Sequence, residues 1–449
     1  MGSGGGGAMF NPIISPHDPN TVMVSSDMTG SHITHDGGGT WRMFNLRGAA
    51  HFFAFDPVDP KTIYAGTGAL WRSTDGGQSW KLVYPKPSTI RGIRMNSDHA
   101  DETIIAQPDP LGHVFALAID PDDHRLLYAA AAQSQSKSFA LFVSRDSGGS
   151  WQELNRLPEE PRRMWIDSHS PGDSRRLFVA SSHFISVRRS SGLQSLPAPS
   201  ELTEVSLGFG NGGRPLIYAT SPQGLFVSKD GGRTWQKVDL PGGGAQVRAV
   251  ATSLRHPDVA YVSYDHLVDA NQSLNTLLQG KTRWMGVAKT TDAGKTWHLV
   301  WKESEKPADN VHDAWISERF GAGWAGNPRE LAVAEQDGGA NWTAVYSRKE
   351  PGLQWKSTGL DVTTDYGIHF DPFDSKRQFI TFTDIGLFRS EDAGNSWQSS
   401  TSGVPREWLN TTYWIVFDPK VRGRAWSVNS YTHDLPRPKM WRHTSVLDY

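Results

Sequence analysis

Cysteine is missing from all 449 residues, which excludes a disulfide framework, a zinc-thiolate centre and a cysteine nucleophile. No run of about 18 apolar residues occurs, so nothing in the sequence reads as a membrane-spanning helix. Neither sign of charge is in surplus. The 45 basic and 47 acidic residues leave a formal charge of -2, with no general attraction for nucleic acid or an anionic membrane. Motifs of several chemistries are also absent. There is no His-Glu-x-x-His and no Gly-x-Ser-x-Gly elbow, and the Asp-Gly-Gly turns lack the alternating carboxylates of a calcium loop. No metal and no cofactor are therefore expected.

What the chain does have is tryptophan, 18 residues of it in a sequence only 37% hydrophobic. Six end an identical pattern, Ser/Thr-x-Asp-x-Gly-x-Ser/Thr-Trp: THDGGGTW, STDGGQSW, SRDSGGSW, SKDGGRTW, TTDAGKTW and SEDAGNSW, with aspartates at 36, 75, 146, 230, 292 and 392. EQDGGANW is a relaxed copy with its aspartate at 337, and RRSSGLQS an eroded one with Ser190 in the aspartate's place. Each box follows a run of strand character such as GLFVS and leads into another such as TWQKV, so it reads as a hairpin turn. There aspartate accepts from turn N–H groups, glycine supplies positive φ, and tryptophan covers a neighbouring element.

Upstream of most boxes an apolar strand ends in Asp-Pro or a similar turn and a second β-rich strand follows, as in HFFAFDPVDPKTIYAGT and VFALAIDPDDHRLLYAA. Four strands per unit result. Successive box positions lie between 39 residues (Asp36 to Asp75) and 71 residues (Asp75 to Asp146) apart, close to one propeller blade. The expected fold is an all-β propeller of four-stranded blades, with seven blades favoured and eight allowed. It would fill residues 1–408, and residues 409–449 would close the ring or begin a second propeller.

These repeats resemble the Asp boxes of the sialidase-like propellers, whose members include sialidases, endoglucanases, sorting receptors and assembly factors. The Phe/Tyr-Arg-Ile-Pro opening of sialidases does not occur; the chain reads GAMFNPIIS instead. The stretch GGGGAMFNPIISPHDPNTVMVSSDMTG (residues 4–30) is similar to the opening of glycoside hydrolase family 74, whose xyloglucan-cleaving members join two seven-bladed propellers. That resemblance implies that Asp27 is the catalytic base of an inverting mechanism. The family's general acid lies four residues before the aspartate of an Asp-Pro-Phe segment. In TDYGIHFDPFDS that position is Gly367, and the nearest carboxylate is Asp365.

Propeller function collects where loops after the second strands meet one end of the channel. Those loops offer Asp27, His183, Asp265 with His266, Asp384 and His433. FTDIGLFRSEDAG around Asp384 repeats the arrangement SSDMTGSHITHDGG around Asp27, so the two carboxylates are candidates for an inverting pair, which needs roughly 6.5–9.5 Å between carboxyls. An equally simple role for each is to cap its own turn. The starts of the innermost strands add His51, His113, Arg248, Glu330, Tyr366 and Tyr413 as substrate-binding candidates, of which alternation should turn about half toward the channel. Insertions at 85–112, 265–284 and 302–328 are long enough to form cleft walls.

Three functions stay open: a glycoside hydrolase on a polysaccharide, a lyase using His, Tyr and Arg on a uronate-containing glycan, and a propeller that binds glycan or protein without chemistry. The expected partner is a polysaccharide or oligosaccharide, with no nucleic acid and no membrane, and the expected state a monomer. MGSGGGGAMF lacks the basic and apolar regions of a signal peptide, so a secreted or periplasmic protein with that peptide removed is expected.

Overall fold

A computed structural model describes residues 2–5, 9–26, 30–95, 102–107, 111–133, 138–241, 246–265, 286–302, 311–312, 342–343, 345–352, 354–361, 363–405 and 408–430. Regular structure among them is β-strand, apart from three single-turn 3₁₀ segments. The chain forms two compact units. The larger comprises residues 9–312 with 316–343, and the smaller comprises residues 1–8, 313–315 and 344–449.

The larger unit holds six four-stranded antiparallel sheets, numbered here as blades 1 to 6, over residues 9–45, 52–84, 114–157, 161–197, 204–238 and 246–302. Strands pair in chain order in every blade, as the repeated four-strand unit requires. Burial explains the composition of each strand. Second strands such as Leu127–Ala132 (LYAAAA) and Leu177–Ser181 (LFVAS) are buried on both faces and read as continuous runs of small and apolar residues. Fourth strands such as Arg42–Asn45 are largely exposed.

The larger hydrophobic cores lie between neighbouring blades. Phe52, Tyr64 and Leu70 of blade 2 pack with Val114, Leu117 and Leu127 of blade 3. Phe178 and Ile185 of blade 4 meet Leu207 and Ile217 of blade 5 in the same way.

The boxes join third to fourth strands and work as inter-blade staples. In blade 2, Ser73 Oγ donates to Asp75 Oδ1 at 2.8 Å, while the Ser79 amide and hydroxyl donate to the same carboxylate. Gly77 has φ +84°, and a Cβ there would stand 2.9 Å from Ile33 Cδ1 of blade 1. Trp80 stacks on Phe44 of blade 1, with ring centroids 5.1 Å apart. The box aspartate is thus occupied by its own turn, and the glycine and tryptophan press on the preceding blade.

A second ring of aspartates sits in the hairpins joining first and second strands. Asp56, Asp120 and Asp167 are nearly inaccessible, and side chains of the following blade reach two of them. His124 of blade 3 meets Asp56 at 3.0 Å. Arg175 of blade 4 clasps Asp120 of blade 3.

In the smaller unit, residues 365–399 form a further four-stranded sheet ending in the SEDAGNSW box, beside a two-stranded sheet at 411–430 and a hairpin at 347–357. The N-terminal glycine run is part of this unit. Gly5 bridges Asp361, the Gly4 amide donates to Asp361 Oδ1 at 3.0 Å, and Gly4 has φ +79° against the carbonyl of Tyr346. A Cβ at Gly4 would overlap that carbonyl, so the glycine is sterically required.

Candidate functional site

In the larger unit, the starts of first strands and the ends of second strands share one rim. Register fixes this: Met9 lies opposite Ser26, His51 N donates to Gly66 O, and Ala132 N donates to His113 O. Asp27 lies outside the described residues; it follows Ser26, the last residue of the second strand of blade 1, in the sequence.

A cavity of about 390 Å³ opens here, lined by residues from five successive blades. Blade 1 supplies Asn11, which sits at a bulge with φ +53° and donates through Nδ2 to Ala50 O at 3.1 Å. The left-handed conformation is one that asparagine tolerates better than most residues. His51 and His113, from blades 2 and 3, meet edge to face at 5.0 Å, and His113 rests on Phe115 at 4.6 Å. Burial, reinforced by His51, pushes the His113 pKa down to about 4, so the ring is neutral near pH 7. It can accept or relay a proton but carries no cation.

Blades 4 and 5 supply charge. Arg163 Nε donates to Glu204 Oε1 at 3.1 Å and Nη2 donates to Oε2 at 3.4 Å, a two-pronged contact that fixes the carboxylate's orientation. Arg162 Nη1 donates to the carbonyls of Leu202 and Thr203, and Glu160 lines the same mouth. The cavity therefore combines carboxylates, a neutral imidazole, guanidinium groups and aromatic faces. Such a set can hold a polyhydroxylated chain and place acids beside it.

Other sequence candidates fall as follows. His183 is on the same rim, with Nδ1 3.0 Å from Glu159 Oε2. Arg248 stands at the start of blade 6, donating to Gln246 Oε1 at 3.0 Å, and is not among the cavity's lining residues. Asp265 ends the second strand of blade 6 opposite Gln246. His266, Glu330 and His433 lie outside the described residues, as do the rest of the insertion at 265–284 and most of 302–328. The insertion at 85–112 contains an antiparallel hairpin over 90–106, tied to blade 1 where Arg47 meets Glu102 at 2.8 Å.

The remaining candidates belong to the smaller unit. Tyr366 and Tyr413 pack edge to face at 5.3 Å on adjacent first strands. Asp384 is half-buried with φ +64° in its hairpin turn, and Thr363 Oγ1 donates to its Oδ2 at 3.4 Å. Asp365 is exposed. At Gly367 a Cβ would come within 3.0 Å of His369 Nε2 and 3.4 Å of Trp414. A longer acidic side chain there would have to displace those rings.

Arg163 and Glu204 escape the sequence reading, along with Glu160, Arg162 and Asn11. The available signal is positional: they occupy in blades 1, 4 and 5 the strand starts that His51 and His113 occupy in blades 2 and 3.

Comparison with known proteins agrees with this architecture. A model of the BNR/Asp-box repeat matches residues 226–237. A xyloglucanase from Paenibacillus sp. is 22% identical over 436 residues, covering 83% of this chain and 37% of that protein. An oligoxyloglucan-reducing end-specific xyloglucanase from Emericella nidulans is 22% identical, covering 88% of this chain and 48% of its own. The chain thus spans less than half the length of these curated relatives. The crystal structure of an ancestral GH74 enzyme superposes with a TM-score of 0.61 at 17% identity, over 92% of this chain and 57% of that one. The chain is an Asp-box β-propeller resembling glycoside hydrolase family 74.

Proposed function

We propose that the protein is a glycoside hydrolase cleaving a β-linked plant-type or bacterial polysaccharide of the xyloglucan kind, by inversion, with Asp27 as general base. The observation carrying this reading is the rim cavity. Ser26, the residue before Asp27 in the sequence, ends its strand on the rim of the larger unit at which Glu160, Glu204, His51 and His113 gather. Support also comes from the xyloglucanases matched along most of the chain. An inverting enzyme needs one carboxylate to activate water and a second, protonated, to release the leaving sugar. Asp384 and Asp365 are the sequence's candidates for the second role, and Glu160 and Glu204 are those the larger unit brings to the rim cavity. Export from the cytoplasm and action as a monomer complete the proposal.

The test is incubation with xyloglucan, a mixed-linkage glucan and a uronate polymer, read by new reducing ends and by the ultraviolet absorbance of an unsaturated product. Reducing ends without that absorbance, lost in Asp27→Ala, are expected. Absorbance on the uronate polymer would instead establish a lyase. Binding without product would leave a non-catalytic propeller.

A further inference from the structure

The face opposite the rim carries a second cavity, of about 330 Å³, between blades 4 and 5. Its lining includes Asp167, Arg176, Arg189, Ser190 and the glycine turn Gly212 and Gly213. Its position within the repeat is distinctive. In six blade units the hairpin between third and fourth strands is an Asp box with a carboxylate bound into the turn. In blade 4 the corresponding hairpin is the eroded copy: Arg189 pairs with Gly192, and Ser190 stands where the aspartate would be.

The lost carboxylate leaves a charge imbalance. Asp167 lines the pocket, but Arg176 already neutralises it, donating through Nε to Oδ2 at 2.9 Å. Arg189 is half-buried and has no acceptor among the described residues, and the Ser190 hydroxyl is likewise unengaged. Arg233, from the box of blade 5, reaches only its own turn, with Nη1 3.4 Å from Asp230 O. Burial, followed by the nearby charges of Arg176 and Arg233, pulls the Arg189 pKa below its ordinary value.

We propose that this pocket binds a tetrahedral oxyanion, a sulfate or phosphate group, held by the Arg189 fork and the Ser190 hydroxyl with Arg233 adding charge. Guanidinium geometry suits two oxygens of such a group, and the serine can donate to a third. The anion supplies from outside the charge that the other boxes supply from their own aspartate. Because the pocket is on the face away from the rim, a sulfated or phosphorylated polymer bound there would leave the cavity around His113 free.

Thermal unfolding of the whole chain in sodium sulfate and in sodium phosphate, against sodium chloride at equal ionic strength, tests the site. A saturable rise in midpoint with either oxyanion is expected, because a ligand that binds only the folded state stabilises it. Affinity should fall at least tenfold in Arg189→Gln, fall less in Arg233→Gln, and vanish in Ser190→Asp, which restores an internal carboxylate. Circular dichroism confirms that each variant is folded. Affinity electrophoresis in dextran sulfate against dextran assigns the source. Retardation at concentrations far below those of free sulfate identifies a polymer-borne group, and equal affinity identifies the free ion. No difference from chloride in the wild type, or unchanged binding in both Arg189→Gln and Ser190→Asp, overturns the proposal.

Discussion

Arg175 of blade 4 grips Asp120 of blade 3 with two hydrogen bonds, Nε to Oδ2 at 2.8 Å and Nη2 to Oδ1 at 3.0 Å, and each side chain is only 1% exposed. The hydrogen bonding to Asp120 is the main reason that the arginine's pKa rises. Removing Arg175 strands the buried Asp120 charge, and removing Asp120 leaves the buried guanidinium with the exposed Asp122 as its remaining carboxylate. Arg175→Ala and Asp120→Ala should each lower unfolding stability by about 3–5 kcal/mol in denaturant titration. The double variant should cost clearly less than the sum, because neither charge is then left alone.

The boxes carry a defined acid response. The Ser79 hydroxyl, then the Ser79 amide and the Ser73 hydroxyl, lower the Asp75 carboxyl from 3.8 to about 2, and Thr296 leads the same effect at Asp292. A carboxyl whose folded pKa is depressed stabilises the fold fully above its unfolded value and loses that contribution as pH falls toward the folded one. Stability should therefore fall between about pH 4 and pH 2. Asp75→Asn should flatten the slope in that window while lowering stability at pH 7.

His32 predicts sensitivity in a milder range. It lies in the third strand of blade 1, is 1% exposed, and neither ring nitrogen has a hydrogen-bond partner among the described residues. Burial lowers its pKa from 6.5 to about 4. The unfolded chain binds the proton first, so stability drops as pH falls from 6.5 toward 4, by about 3 kcal/mol at the lower end. Denaturant titrations at both pH values should show this loss in the wild type and a smaller one in His32→Leu.

Gly77 reports on how blades close on one another. Its φ of +84° and the 2.9 Å separation from Ile33 Cδ1 leave no room for a methyl group. Gly77→Ala should cost about 1–3 kcal/mol. Gly76 also has positive φ but no atom within 4 Å of its Cβ position, so Gly76→Ala should cost less, and the difference isolates the packing term.

On the proposed hydrolytic function, Asp27→Ala should lower kcat by roughly 10²–10⁴-fold, the usual range for a lost acid or base. Glu204→Gln keeps the shape of the Arg163 contact and removes its charge. A comparable loss in kcat would give Glu204 a catalytic role, whereas a change confined to KM would limit it to holding substrate. His113→Gln should leave the pH profile above 5 unaltered, since burial keeps that ring neutral there.

By itself the sequence determined the local design: the six boxes, the hairpin each one closes, four strands per unit and the rim on which the second strands end. These are short-range facts, set by turn chemistry and strand alternation within a few dozen residues. Tertiary structure decided what faces what. Arg163 and Glu204 look ordinary in their own strands and become a site only when blades 4 and 5 turn their first strands to one channel. The same closure set Arg175 on Asp120. Nor could local sequence show that Gly4 is required by the carbonyl of Tyr346, because the two residues are far apart in the chain. Such partnerships depend on the angle and spacing between blades, which arise from the packing of all the inter-blade cores together.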